Sequence, residues 1–318
     1  MDISAEPKLK KINTAIIGAG SLGQHHARIL AKHPLSELKA VADSDPKRAQ
    51  KIAALYNTRA VSNHSEIAGQ IEAAVIAVPT PFHYAVAKDL LGLGIHCLVE
   101  KPFTSTVEEA QELISIARDR DLVLQVGHVE RFNPAVVAAR PFIREPRFIE
   151  VNRLGPYDPR TSHIGVVLDL MIHDLDILLD LVRDRVVGLE AFGARIFSEH
   201  EDIVKARIKF LNGCVADVSA SRISLEKYRK IRVFQKDSYI SVDYAGKSVK
   251  IYKKKTDVVK GFSDIEVIKP KLKDEEPLFF ELDHFLTCVS EGKRPLVTGE
   301  HGRDAMELAF EILKGLKF

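Results

Sequence analysis

The stretch "INTAIIGAGSLGQHHARIL", residues 12–30, decides the fold of the first half of the chain. An apolar run typical of a strand buried on both faces leads directly into Gly18, Gly20 and Gly23, a GxGxxG pattern, and then into helical spacing. Glycines at a strand-to-helix turn permit a tight bend, and they let backbone N–H groups and the helix N-terminus approach a pyrophosphate. The pattern also occurs in ordinary loops, so the flanking strand and helix carry the interpretation. We expect the loop residues, including Ser21 and Leu22, to bind a dinucleotide.

The alternation of strands and helices continues to about residue 127. The further apolar runs are "LKAVAD", "AAVIAVP", "IHCLVE" and "LVLQVG", and amphipathic helical segments separate them. Such alternation implies a parallel sheet with right-handed crossovers. The first half is therefore predicted to be a Rossmann domain, a doubly wound parallel sheet, over residues 1–127.

An acidic residue follows the second predicted strand. Asp43 stands at the spacing at which a carboxylate accepts hydrogen bonds from the adenosine ribose. The alternative is a helix N-cap ahead of Pro46, a role that Asp45 could fill equally well. Because strand, glycines and acid coincide, we favour the cofactor role. Both carboxylates would repel a 2′-phosphate, so NAD is expected rather than NADP.

The loop "VPTPFHY", residues 78–84, follows another predicted strand. Its prolines make it stiff, and it lies at the carboxyl edge of the sheet, where such folds bind ligands. We expect Pro79, Thr80 and His83 to contact the cofactor. His83 is interpreted as a first-turn helix residue rather than a catalyst.

The stretch "HCLVEKPF" delivers Glu100 and Lys101 to the same edge. Pro102 restricts the residue before it, which holds Lys101 in an extended conformation instead of a helix. A surface charge pair followed by a loop proline is the alternative, and the buried strand in front makes that alternative weaker.

The second half, residues 128–318, has a different pattern. One helix is followed by a series of short strands with hairpin-like breaks, including an Asn212-Gly213 turn signal, and two C-terminal helices close the chain. We predict an α+β domain with a large, mostly antiparallel sheet. One face would pack on helices and the other would be open to a partner subunit, in a homodimer or homotetramer.

The helix "VVLDLMIHDLDILLDLV", residues 166–182, carries four polar side chains on one face: Asp169, His173, Asp176 and Asp180. Asp169 and His173 are four residues apart and can hydrogen-bond, which would fix the imidazole tautomer and raise its basicity. For Asp176 and Asp180 a solvated polar face is an equally good interpretation.

These motifs resemble the Gfo/Idh/MocA oxidoreductases, which are NAD(P)-dependent and act mostly on sugars and cyclitols. The resemblance rests on Gly18–Gly23, on Glu100-Lys101-Pro102 and on Asp169 with His173, in that order along the chain. It implies that the residue matching Lys101 contacts the reacting hydroxyl and the nicotinamide ribose, that Glu100 sits by the cofactor, and that the Lys–Pro bond is often cis. His173 would be the general base, Asp169 its orienter and Lys101 the donor to the developing alkoxide.

The segments "GHVERFNP" and "RLGPYD" resemble most the family members that oxidise UDP-linked N-acetylhexosamines. That resemblance implies oxidation of the 3-hydroxyl of UDP-N-acetylglucosamine, with a partner aminotransferase converting the ketone for lipid A. Cations and donors for the diphosphate are expected among Arg131, Asn133, Arg153 and Arg160, although each could instead be a surface or turn residue. Met171 stands where many relatives carry glycine. A dehydrogenase of a free sugar or inositol, or a non-catalytic NAD-binding sensor, remain alternatives.

Composition excludes other classes. Hydrophobic residues make up 46% and charged residues 28%, with a net charge of +2, so a dedicated nucleic-acid binder is not expected. Three widely spaced cysteines form no metal-ligand pair, so we expect neither disulfides nor a metal site. Because the N-terminal sequence lacks a signal-peptide core and no apolar run could span a bilayer, we expect a cytoplasmic protein without membrane contact.

Overall fold

The computed structural model describes residues 10–159 and 164–318, and it divides into two compact units. The first comprises the chain up to His128 together with Leu278–Arg303. The second comprises Val129–Pro277 and Asp304–Phe318. No helix in the described part of the chain is long and apolar enough to cross a membrane.

The first unit contains a six-stranded parallel sheet in the order β3-β2-β1-β4-β5-β6. Its strands are β1 (Ile12–Ile17), β2 (Ser36–Ala42), β3 (Arg59–Val61), β4 (Ala73–Ile76), β5 (His96–Glu100) and β6 (Leu124–Gly127). Its helices are α1 (Ser21–Leu30), α2 (Pro46–Leu55), α3 (His83–Gly92) and α4 (Val107–Asp119). The predicted Rossmann sheet is confirmed. The short edge strand β3 was not predicted, because three residues carry too little pattern.

The C-terminal segment 278–303 packs with the first unit, whereas the sequence-based division assigns it to the second domain. Helix α7 (Pro277–Glu291) buries Leu282, Phe285 and Leu286 in the same core as β1 and α1. Downstream, the N–H of Val126 donates to the carbonyl of Val297 at 3.1 Å, next to the sheet edge formed by β6. Apolar spacing in α7 indicates a buried face but does not say which core receives it, which is why the sequence misplaced the segment.

The second unit is built on an eight-stranded sheet in the order β14-β13-β12-β11-β7-β10-β9-β8. Its strands are β7 (Phe148–Leu154), β8 (Val186–Ala194), β9 (Ile203–Phe210), β10 (Val215–Ser221), β11 (Tyr228–Phe234), β12 (Ser238–Asp243), β13 (Ser248–Lys254) and β14 (Ile265–Ile268). Only β10 and β7 pair in parallel; the other neighbours are antiparallel, as predicted. The Asn212-Gly213 signal is a turn between β9 and β10, with Gly213 at φ +84°.

In its described residues this unit also contains the α-helices α5 (Pro134–Ala139), α6 (Ile172–Val182) and most of α8 (Gly299–Gly315). Their apolar side chains share one core with one face of the sheet. Along β7 the burial alternates, so that Ile149, Val151 and Arg153 lie on the core face while Glu150 and Asn152 lie on the open face.

A π-helical turn over Val167–Met171 directly precedes helix α6. This wider turn was not predicted, and it carries Asp169 at its centre, while His173 lies in the first turn of α6. Such π turns often occur at functional sites. Asp176 is buried at 2% exposure, so the solvated-face interpretation of this residue is wrong.

Candidate functional site

The glycine loop at the end of β1 is tightly constrained. Gly18 has φ +97°, and a Cβ there would come within 2.6 Å of the Ala77 backbone after β4. A Cβ on Gly23 would come within 1.8 Å of the Gly18 carbonyl oxygen, so neither position accepts a side chain. Helix α1 starts at Ser21, and its N-cap residue Gly20 supplies no side-chain cap. The first-turn N–H groups are therefore left to an anion, which fits the pyrophosphate of a dinucleotide.

Asp43 connects the end of β2 to this loop. Its Oδ2 accepts a hydrogen bond from the Ala19 N–H at 2.8 Å, and its Oδ1 accepts one from the Asp45 N–H at 2.8 Å. The N-cap of α2 is Asp45, which accepts from Lys47 and Arg48. The cap alternative therefore applies to Asp45 and not to Asp43. Asp43 lies beside the glycine loop, and its contact with the cofactor stays a prediction.

His83 joins two loops at the carboxyl edge of the sheet. It is the first residue of α3 and is 1% exposed. Its Nδ1 lies 2.9 Å from the Pro102 carbonyl oxygen and its Nε2 lies 2.8 Å from the Val78 carbonyl oxygen. Pro79 caps a short 3-10 turn that begins at Thr80 and leads into α3. His83 thus holds the two loops together, and direct contact of these residues with the cofactor remains a prediction.

Glu100 and Lys101 differ in exposure. Glu100, at the end of β5, is 6% exposed, and its Oε1 lies 2.7 Å from Nε2 of His26 on α1. Its Oε2 accepts from the Lys101 N–H at 3.2 Å. Lys101 is half-buried, and the Lys101–Pro102 bond is cis, as the resemblance implied.

A third ionisable group lies behind this pair. Glu281 on α7 is fully buried, and one ligand atom from each of His26, Glu100 and Glu281 falls within 4.8 Å of the others. Burial, together with the negative Glu100, raises the pKa of Glu281 well above its ordinary value. Burial opposes ionisation of Glu100 as well, but its hydrogen bond and Coulombic attraction to His26 hold its pKa below the ordinary value. The donor atoms of the cluster are of a kind that could hold a metal ion. The opposite shifts of the two pKa values describe Glu100 as a carboxylate and Glu281 as a neutral carboxylic acid.

In the second unit, the predicted diphosphate ligands have partners inside the protein. Arg153 is 3% exposed and makes a bidentate contact with Asp174, at 2.6 and 2.8 Å, and a 2.9 Å contact with Glu130. Asn133 caps α5 through the Ala135 N–H and donates to Glu130 at 3.0 Å.

Arg131 is likewise committed. It is 4% exposed and lies 3.3 Å from Asp176 and 2.8 Å from Asp180, which also pairs with Arg140. Withdrawing Arg131 or Arg153 to bind a ligand would leave carboxylates unpaired in a buried place, which is costly. This placement does not favour Arg131 and Arg153 as ligands of a diphosphate, although their role in substrate binding stays a prediction. Arg160 lies outside the described residues.

Arg229 on β11 was missed by sequence reasoning. It pairs in register with Arg153 across the β11–β7 ladder and shares the core face with Ile231 and Val233. Asp169 lies close enough for its charge to act on Arg229. The period-two alternation of "YRKIRVF" could have placed Arg229 on that face, but it gives no indication of which charges face it across the sheet.

The comparisons with known proteins agree with this geometry. Residues 12–128 match the model of the Gfo/Idh/MocA oxidoreductase family with an NAD-binding Rossmann fold, and residues 144–241 match the Gfo/Idh/MocA C-terminal domain. The chain is 35% identical over 302 residues to UDP-N-acetylglucosamine 3-dehydrogenase of Acidithiobacillus ferrooxidans, covering 95% of this chain and 96% of that protein. It is 25% identical to inositol 2-dehydrogenase of Rhizobium meliloti, covering 94% of each chain.

A solved structure has the same fold as this chain. UDP-N-acetylglucosamine 3-dehydrogenase from Acidithiobacillus ferrooxidans superposes with a TM-score of 0.90 at 34% identity, covering 96% of this chain and 98% of that one. With both domain models matched in order and a relative similar over nearly the whole chain, this protein belongs to the Gfo/Idh/MocA family of oxidoreductases and carries its NAD-binding Rossmann domain.

Proposed function

We propose that this protein oxidises the 3-hydroxyl of UDP-N-acetylglucosamine with NAD and forms the 3-keto sugar nucleotide. The observation that carries the proposal is the 35% identity, over 95% of the chain, to a relative named UDP-N-acetylglucosamine 3-dehydrogenase. The glycine loop, with no room for a Cβ at Gly18 or Gly23 and an uncapped α1 N-terminus, fits NAD.

The chemistry divides among three residues. NAD, held by the glycine loop, would supply the hydride acceptor for the substrate carbon. His173 takes the hydroxyl proton as general base, and Asp169 orients its imidazole. The Lys101 ammonium donates a hydrogen bond to the oxygen as negative charge develops on it. These roles follow the family pattern, and the variants described in the Discussion test them.

The proposed cofactor-binding residues would bind and orient NAD without taking part in the chemical step. Gly18, Gly20, Ser21, Leu22 and Gly23 would hold the pyrophosphate by their backbone. Asp43 would accept from the ribose, and Glu100 would fix the backbone of Lys101, to which it is already hydrogen-bonded.

A free polyol is the alternative substrate, supported by the 25% identity to an inositol 2-dehydrogenase over 94% of both chains. A non-catalytic sensor is disfavoured because Lys101, Asp169 and His173 are all present.

We also propose that the open sheet face of the second unit forms a homodimer or homotetramer contact. Partly exposed aromatic rings stack along that face, with Phe234, Tyr239 and Tyr252 at centroid distances of 5.0 and 5.4 Å. The proposed setting is the cytoplasm, in the lipid A pathway, with an aminotransferase that consumes the ketone.

Thermal-shift measurements test the substrate class. With NAD present, UDP-N-acetylglucosamine and UDP should raise the melting temperature, because a ligand that binds the native state stabilises it by mass action. Myo-inositol and glucose should not. Stabilisation by myo-inositol alone would instead support the free-polyol alternative.

A further inference from the structure

In the described residues of the second unit, the buried and partly buried arginines pair with carboxylates, with the exception of Arg229. Arg153 pairs with Asp174 and Glu130, and Arg222 lies 2.7 Å from Asp202. Arg229 is partly buried beside Arg153, yet within the part of the chain that the structure describes its guanidinium makes no ion pair or hydrogen bond.

The surroundings of Arg229 make this lack of a partner informative. Burial, followed by the positive charge of Arg153, lowers the pKa of Arg229, while Glu130, Asp174 and Asp169 act on it from beyond ion-pair distance and raise it. Two of these carboxylates are already taken by Arg153. A guanidinium that has lost part of its water and has gained no protein acceptor keeps hydrogen-bonding capacity that a ligand could use.

The ligand that suits this position is an anion with several oxygens. Five N–H donors in a planar fork match a phosphate or diphosphate group. Arg229 lies within Coulombic reach of Asp169, the proposed orienter of the catalytic base, so the anion would belong to the reacting substrate.

We propose that Arg229 binds the diphosphate of the nucleotide-sugar substrate, in the place of the arginines that are committed to buried ion pairs. This inference rests on the proposed function. It makes Arg229 a specificity residue: a free sugar or inositol gains nothing from it, whereas a UDP-sugar does.

The test compares UDP with uridine, which lacks the phosphates, by isothermal titration into the full-length protein saturated with NADH. Arg229→Gln should weaken UDP binding by roughly 10- to 100-fold, the usual range for losing hydrogen bonds to a charged group. The affinities for uridine and NADH should stay within about twofold of wild type, because neither ligand is proposed to contact the Arg229 guanidinium. Arg232→Gln is the matched control, since Arg232 lies on the opposite face of the same strand and pairs with Glu150 at 2.9 Å.

Arg229→Lys keeps the charge but loses the fork, so it should weaken UDP binding less than glutamine does. If the glutamine variant does not fold, the lysine variant decides by the ratio of its UDP and uridine affinities. Wild-type UDP affinity in the Arg229 variants would overturn the role of Arg229 alone. A wild-type protein that binds no UDP would overturn both this inference and the proposed substrate.

Discussion

The Nε2 atom of His26 lies 2.7 Å from Oε1 of Glu100, and both side chains are almost completely shielded from solvent. This contact ties α1, which starts at the glycine loop, to the end of β5, where Lys101 follows. Glu281 lies behind the pair with its pKa raised by burial and by Glu100. The pair and the acid are therefore one buried unit, and its proton content contributes to the stability of the fold.

Glu281→Gln should leave the protein as stable as wild type at about pH 4, because glutamine resembles the neutral acid and the unfolded carboxyl is also largely protonated there. Near neutral pH the glutamine variant should be the more stable protein. A carboxyl with a raised folded-state pKa contributes stability that is full below its unfolded pKa and is lost as pH rises through the folded pKa. Wild type should therefore lose stability relative to the glutamine variant on going from about pH 5 to about pH 9, by at most ~1.4 kcal/mol per pH unit.

Urea unfolding across that pH range measures the difference. Glu291→Gln, at an exposed position of the same helix, is the control and should show no such trend. A large loss of stability in the Glu281 variant at alkaline pH would show that the native group is a carboxylate, as metal ligation requires.

Cofactor selectivity follows from the carboxylates after β2. NAD should bind at least about tenfold more tightly than NADP, which corresponds to ~1.4 kcal/mol. Asp43→Asn should narrow the gap, because an amide does not repel a 2′-phosphate while it can still accept from the Ala19 N–H. Fluorescence titration with NADH and NADPH measures both affinities. If wild type binds the two cofactors equally well, Asp43 does not select between them and serves only to hold the glycine loop.

His173→Asn should lower turnover by roughly 10²–10⁴-fold, the usual contribution of a general base. NAD affinity should barely change, because His173 belongs to the second unit. The exposed His200, in the same unit, supplies the control His200→Asn, which should keep full turnover. Near-wild-type turnover of the His173 variant would remove this residue from the mechanism and make Lys101 the base to test.

Lys101→Met should also lower turnover, and it should weaken NAD binding slightly, because the family role of this lysine includes the nicotinamide ribose. Combined with His173→Asn, the loss should be smaller than the product of the two single losses, because both residues serve one hydroxyl. Steady-state kinetics of the single and double variants measure these losses of turnover. If the loss in the double variant equals the product of the two single losses, the two residues act independently.

The sequence predicted most of the first unit, because each signal there is local. The strand that ends at Gly18, the bend and the helix that follows are adjacent in the chain, so their pattern specifies the turn. The second unit shows the limit of this reasoning. Arg131 and Asp176 are 45 positions apart by numbering, and no local pattern indicates that they form a buried ion pair.

The arginines illustrate the same limit for the candidate site. We selected Arg131 and Arg153 because each follows a predicted motif in the sequence. Whether a guanidinium is available to a ligand depends instead on which carboxylates the fold brings close to it. Arg229 has no local signal apart from strand alternation, and its role follows only once Arg153, its cross-strand neighbour, is seen to be paired with Asp174.

Hydride transfer from a defined carbon tests the central claim most directly. UDP-N-acetylglucosamine deuterated at carbon 3 would be incubated with wild-type protein, NAD and a trap for the ketone, and the NADH would be examined by mass spectrometry. The account predicts NADH that carries the deuterium, and none from free N-acetylglucosamine or myo-inositol. NADH without deuterium, or NADH formed only with myo-inositol, would contradict it.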